Sequence, residues 1–132
     1  MEKMTKAFLI FCSIALLPIA LSYGAKPASS LNMLYGIVVD TTNLSHIMRA
    51  VMGLYLGMIV IWLLGAYHKS LTRPALISCA VFMLGLAGGR LLSVILDGWP
   101  YWLLIFYAVA EVMIGVIALY LDGMLQRSQE EA

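Results

Sequence analysis

The chain has 132 residues, of which 63% are hydrophobic and 11% are charged, with a mean hydropathy of +0.96 and a formal net charge of +1. A soluble domain has about 45–50% apolar and about 25% charged residues, so this composition indicates an integral membrane protein. The near-neutral charge, without a basic stripe, argues against a nucleic-acid partner. Neither the two isolated cysteines nor any His cluster has metal-ligand spacing, so we predict no metal and no cofactor.

The first apolar segment covers residues 7–23 and follows a basic start with Lys3 and Lys6. A cleaved signal peptide has this pattern, with small residues near Ser22 and Gly24 at the cut. A membrane helix of about 17 residues, kinked at Pro18, is the alternative; it is short but long enough to span. We favour the retained helix, but the residues themselves leave open whether residues 1–24 are kept or cleaved.

The rest of the chain alternates polar connections with apolar segments. An outer loop over residues 24–43 ends in Asp-Thr-Thr-Asn, a dense set of helix N-cap residues. Three further apolar segments are each long enough to cross a bilayer. The sequence therefore predicts one all-α membrane domain over residues 1–132, a four-helix bundle with spans at 7–23, 44–66, 75–96 and 101–121.

The basic residues of the loops predict the orientation. With four spans, all but one of the loop cations fall on one side of the membrane, and Lys26 is the exception. Cytoplasmic loops carry an excess of Lys and Arg, so both termini should be cytoplasmic. Removal of the first span would not change the orientation of the others. The cations on the predicted inner side are Lys3, Lys6, Lys69, Arg73 and Arg127.

Three predicted spans contain ionisable side chains. With a rise of about 1.5 Å per residue, Arg49 and Arg90 lie roughly 8–9 Å from the outer ends of their helices, and Glu111 lies roughly 15 Å deep. Asp97 ends the third span at its outer edge. A charge inside a bilayer is costly and marks either an internal pair or a functional site. We therefore predict a polar centre in the outer half of the bundle.

Small residues recur at four-residue spacing beside each of these charges. Such patterns allow helix backbones to approach closely in lipid. We expect these stripes to pack against neighbouring helices and so to turn the charges inward. The predicted packing residues are Gly53, Gly57, Gly85, Gly89, Ser93 and Gly115.

Two interpretations of the polar centre follow. One is an internal salt-bridge network that holds short helices together, which we favour because opposite charges are present in neighbouring spans. The other is a pocket that receives an anionic head group, since Arg49 and Arg90 outnumber Glu111 unless Asp97 also turns inward.

Several segments together resemble a known family. They are Arg49 with the run GLYLG at 53–57, FMLGLA at 82–87 with Gly89, Arg90 and Ser93, Asp97-Gly98-x-Pro100, and Glu111. These resemble the bacterial membrane family labelled domain of unknown function 4345, over about residues 23–120. The resemblance implies a small four-span protein of the bacterial inner (plasma) membrane whose first helix is retained. It implies no activity.

Three functional hypotheses remain. The first is an accessory or binding protein for an anionic or amphipathic ligand, such as a lipid or a quinone. The second is a small proton-coupled transporter acting as an oligomer, and the third is a membrane enzyme that uses Glu111 on a lipid-soluble substrate. We predict no catalytic residue, because no nucleophile–base pair is present and Asp97 alone could assist Glu111. We favour the binding protein; whether it forms a homo-oligomer is left open.

Overall fold

The structure is a computed structural model that describes residues 2–130, apart from the side chain of Gln129. Every secondary-structure element in this range is a helix, and none is a strand. Four of the five helices are long and apolar enough to cross a membrane, namely α1, α3, α4 and α5. This confirms the predicted all-α fold with four candidate spans. The helices are α1 (Glu2–Gly24), α2 (Pro27–Tyr35), α3 (Thr42–Tyr67), α4 (Lys69–Asp97) and α5 (Trp102–Glu130).

The helices extend beyond the apolar segments from which the spans were predicted. α1 begins at Glu2, α4 begins at Lys69, and α5 continues to Glu130. A helix satisfies its own backbone hydrogen bonds, so it need not stop where the apolar sequence stops. The extra turns carry polar and charged residues at the end of the bundle where α1 begins and α5 ends. We call this the terminal end, and the opposite end the α2 end.

The connection over residues 24–43 contains the short helix α2. Pro27 occupies its start, where no backbone donor is needed, and Gly36 ends it with a left-handed φ of 67°. Its nine residues are too few to cross a membrane. Instead α2 buries Leu31 and packs against the ends of α1 and α3. The helix therefore covers part of the bundle's α2 end.

The chain enters α3 through a side-chain cap. Thr41 has an extended backbone, and its hydroxyl oxygen accepts a hydrogen bond from the backbone N–H of Leu44 at 3.2 Å. Such a cap satisfies one of the otherwise unpaired donors of a helix start. Thr41 belongs to the Asp-Thr-Thr-Asn cluster that was singled out in the sequence.

The main helix interfaces are α1 with α3, α3 with α4, and α4 with α5. The core lies among α1, α3 and α4, and α5 adds Ala118 and Leu121. Because α4 lies between α3 and α5, a side chain on α4 can border grooves on both of its sides. The largest fully buried side chains of the spanning helices include Trp62, Leu9, Leu76, Cys12 and Cys79.

Close helix contacts occur at three glycines. An added Cβ would lie 2.6 Å from Met52 Cβ at Gly24, and 2.7 Å from Leu84 Cγ at Gly115. At Gly65 it would collide with Ala75. Gly115 was among the predicted packing residues, and it lets α5 approach α4.

The other predicted packing residues lie on the surface of the chain, whereas the sequence predicted that they pack against neighbouring helices. Within residues 2–130, no atom outside the local helix lies within 4 Å of a Cβ added at any of the four predicted packing glycines of α3 and α4. Instead α3 buries the stripe Tyr55, Ile59 and Trp62. Larger side chains make more van der Waals contacts, so they determine which face turns inward. The outward-facing residues are Gly53, Gly57, Gly85, Gly89 and Ser93.

Candidate functional site

Arg90 of α4 and Glu111 of α5 form an ion pair between neighbouring helices. Arg90 Nε donates to both carboxylate oxygens of Glu111, at 3.0 Å to Oε1 and 2.9 Å to Oε2. The two side chains are only 20% and 10% exposed. Gly115, one turn from Glu111, admits Leu84 of α4 and so allows the close helix approach beside the pair. Pairing offsets the large cost of placing either charge alone among apolar side chains.

The pair leaves part of the guanidinium free. Within the described part of the chain, both hydrogen bonds of Arg90 with full geometry come from Nε, and the Tyr23 hydroxyl is a further polar neighbour of its guanidinium. The guanidinium carbon lies 5.8 Å from the ring centre of Tyr107, within the range of a cation–π contact. A guanidinium carries several donors in one plane, so Arg90 retains donors for a further acceptor.

Four tyrosines cluster at the same level of the bundle, one from each of α1, α2, α3 and α5. The ring centre of Tyr23 lies 5.4 Å from that of Tyr55 and 6.4 Å from that of Tyr35, and Tyr35 lies 6.5 Å from Tyr107. We call these residues the tyrosine cluster. Together with Arg90 and Glu111 they make this region polar, although apolar residues surround it.

Tyr35 has an unusual position within the tyrosine cluster. Its hydroxyl is buried and makes no hydrogen bond of full geometry with a described residue, although Tyr107 and Ser22 are polar neighbours. Burial raises the pKa of Tyr35, so this phenol stays protonated and remains a donor at neutral pH. A buried hydroxyl without a full hydrogen bond costs free energy.

A groove of about 470 Å³ runs between α3 and α4. Arg90 lines it together with Tyr23 and Tyr55, and its remaining walls are mostly apolar. Gly85 and Gly89 form part of the α4 wall, where the lack of side chains keeps the groove open. We call this the α3–α4 groove.

A second groove, of about 400 Å³, lies on the other side of α4, against α5. Gly88, Trp99 and Ala108 line it along with aliphatic residues, and Arg90 again forms part of the wall. Arg90 therefore lies where two apolar grooves meet. A polar group flanked by apolar channels matches the chemistry of an amphipathic molecule.

The remaining two predicted charges lie apart from this pair. Arg49 is exposed and makes no ion pair with a described residue; it lines a separate cavity of about 370 Å³ near Asp40. Asp97 is exposed and accepts a hydrogen bond from the Ser93 hydroxyl at 2.8 Å. The structure thus brings together Arg90 and Glu111 and places Arg49 and Asp97 outside the centre.

Sequence reasoning missed the tyrosine cluster and a second ion pair. At the terminal end, Arg73 Nε donates to Asp122 Oδ1 at 2.9 Å and joins α4 to α5. The tyrosines left only a weak signal, because Tyr23 and Tyr107 lie near the α2 end of their helices but Tyr55 lies in the middle of α3. The sequence contained no indication of the ion pair between Arg73 and Asp122, because both residues lie in segments interpreted as solvated.

The fold and the ion pair between Arg90 and Glu111 define a multi-pass helical membrane protein with a buried arginine–glutamate pair between two spans. Residues 4–121 match the model of the family described as Domain of unknown function (DUF4345). The chain belongs to this family. Searches of the curated proteins and of the solved structures find no match.

Proposed function

We propose that this protein binds an amphipathic ligand whose polar head carries an acceptor oxygen, with Arg90 as the contact for that head. One observation carries the proposal: Arg90 engages Glu111 through Nε alone, and it borders both apolar grooves. Its Nη groups are therefore available to a carboxylate, a phosphate or a quinone carbonyl. A lipid or a quinone-like molecule has such a head and an apolar tail.

The α3–α4 groove is the better of the two for this ligand. It combines Arg90 with two members of the tyrosine cluster, Tyr23 and Tyr55, whose hydroxyls can donate to a polar head. The bare backbone at Gly85 and Gly89 leaves room for an apolar chain. The groove on the α5 side offers Arg90 among chiefly apolar residues.

Because Glu111 is present, the polar head of the ligand does not need to be negatively charged. Its carboxylate already balances Arg90, so a neutral acceptor and an anion are both compatible with the centre. The same contact argues against the transporter and enzyme hypotheses, which need Glu111 to exchange a proton or to reach a substrate. Both of its oxygens accept from Arg90, and the residue is 8% exposed.

The ligand enters from the outer half of the membrane in this proposal. Lys3, Lys6, Lys69 and Arg73 surround one cavity at the terminal end, and the positive-inside tendency then places that end in the cytoplasm. The α2 end, with α2 and the grooves beside Arg90, faces outward. For a chain in a bacterial cell this corresponds to the inner membrane.

The proposal is tested with a substitution that fills the α3–α4 groove and leaves the helix contacts intact. Gly89→Leu places a side chain in the groove, where the structure has open space. Gly57→Leu is the matched control, because it is also exposed and open but does not line the groove. Native mass spectrometry of the purified protein, after addition of ubiquinone, measures the bound fraction.

We expect Gly89→Leu and Arg90→Gln to lose the bound molecule and Gly57→Leu to retain it. Melting temperatures in detergent establish that Gly89→Leu and Gly57→Leu are folded. Equal retention by these two variants would overturn the proposal, as would a wild-type protein that does not retain ubiquinone.

A further inference from the structure

A second polar cavity lies at the terminal end, away from Arg90. It has a volume of about 320 Å³ and is bordered by α1, the α3–α4 junction and the last turns of α5. Basic side chains from two helices converge on it: Lys3 and Lys6 from α1, and Lys69 and Arg73 from α4. Glu2 is the one carboxylate among the described residues that line it. We call this the basic cavity.

Two cations of the basic cavity, Arg73 and Lys69, form ion pairs with carboxylates, and the two ion pairs differ in strength. Arg73 donates to Asp122 through Nε at 2.9 Å and through Nη2 at 3.3 Å, which fixes its guanidinium. Lys69 Nζ lies 2.8 Å from Glu2 Oε1, but these side chains are 84% and 69% exposed. An exposed pair of this kind contributes little and exchanges readily with other partners. Lys69 is therefore free to contact an anion.

The other two cations have no carboxylate partner among the described residues. Lys6 Nζ lies 4.3 Å from the ring centre of Tyr67, and Lys3 makes no ion pair. The described carboxylates that act on the four cations are Glu2, Asp122 and Glu130, so the positive charges still outnumber the negative ones. The positive-inside tendency explains cations at this end, but it does not explain why they surround one cavity.

We propose that the basic cavity binds a phosphate group, supplied by the head group of an anionic phospholipid or by a soluble phosphate. Lys3, Lys6 and Lys69 contact the phosphate oxygens, and Arg73 is held in place by Asp122. Ala66 and Leu125 give the cavity an apolar border, and it lies at the ends of the spanning helices. Basic pockets between membrane helices are known to bind lipid head groups in this setting.

This inference is independent of the proposed function. The residues that line the basic cavity are different from those that line the two grooves at Arg90. Either site could fail its test while the other passes. The two proposals are therefore judged by separate variants.

The experiment compares lipids in nanodiscs or detergent by native mass spectrometry. The probes are phosphatidylglycerol and phosphatidylcholine, each with the same acyl chains, and inorganic phosphate is added as a competitor in a separate series. We expect phosphatidylglycerol to be retained in preference to phosphatidylcholine. Each lysine near an anionic membrane surface contributes to the binding free energy of the lipid, so Lys6→Gln should weaken retention about fivefold. The double variant, with both Lys3→Gln and Lys6→Gln, should weaken it more than roughly tenfold.

Arg127→Gln is the matched control, because Arg127 is an exposed cation near the same end of α5 but does not line the cavity. Lys6→Arg should retain the lipid, since it keeps the charge. Displacement of the lipid by inorganic phosphate would support a phosphate site with a soluble source, and resistance to displacement would support a lipid. Equal losses in Lys6→Gln and Arg127→Gln, or no preference between the lipids, would overturn the proposal.

Discussion

Glu111 accepts two hydrogen bonds from a single atom, Arg90 Nε, at 2.9 and 3.0 Å. A side-by-side pairing would have engaged a second guanidinium nitrogen. The observed contact neutralises the carboxylate and keeps the Nη groups available. The same pair thus supports helix packing and leaves Arg90 able to bind a ligand.

The first prediction concerns the strength of this pair. Glu111→Gln leaves a buried arginine without its counter-charge, and Arg90→Gln leaves a buried carboxylate without one. Each should lower the free energy of unfolding by about 3 kcal/mol. The double variant should cost less than the sum, with a coupling of about 1–3 kcal/mol. Reversible unfolding in detergent measures the cycle; additive costs would show that the two side chains do not stabilise each other.

The second prediction concerns Gly115. A leucine there must occupy the space of Leu84, so Gly115→Leu should destabilise the protein by about 1–3 kcal/mol. Gly57→Leu adds the same side chain where the described structure has open space, and should leave the melting temperature unchanged. A large loss of stability in Gly57→Leu would mean that this exposed face of α3 contacts another molecule, such as a second copy of the chain.

The third prediction ranks the ion pairs. The Arg73 and Asp122 side chains are 37% and 15% exposed, so solvent screens their attraction, and Asp122→Asn should cost clearly less than Glu111→Gln. The cost should shrink as salt is added. Glu2→Gln removes the exposed partner of Lys69 and should leave the melting temperature unchanged. A cost for Asp122→Asn as large as that for Glu111→Gln would contradict this ranking.

The fourth prediction concerns topology. A cytoplasm-active reporter fused after residue 132 should be active and a periplasm-active one silent, because the basic residues lie at the terminal end. Mass spectrometry should find residues 1–24 attached, since Leu9, Cys12 and Leu16 of α1 are buried in the core. An active periplasmic reporter would reverse the orientation, and a mature N-terminus near Ala25 would show that the bundle forms without α1.

The amino-acid sequence by itself determined the helical class and the spans on which the charges lie. Apolar runs long enough to cross a bilayer predicted four candidate spans, and the structure has four such helices. Residue counting also placed Arg90 and Glu111 within neighbouring spans. These properties are local, because hydropathy and helical rise depend only on the residues within one segment.

Only the tertiary structure decided which helix faces meet. Small residues permit close packing but do not require it, so the sequence could not show that Gly115 faces α4 while Gly57 faces outward. Arg90 could have paired with Asp97 or with Glu111, and the position of α5 beside α4 selected Glu111. The tyrosine cluster depends on four helices at once. Such choices follow from the packing of all the helices together, which no single segment encodes.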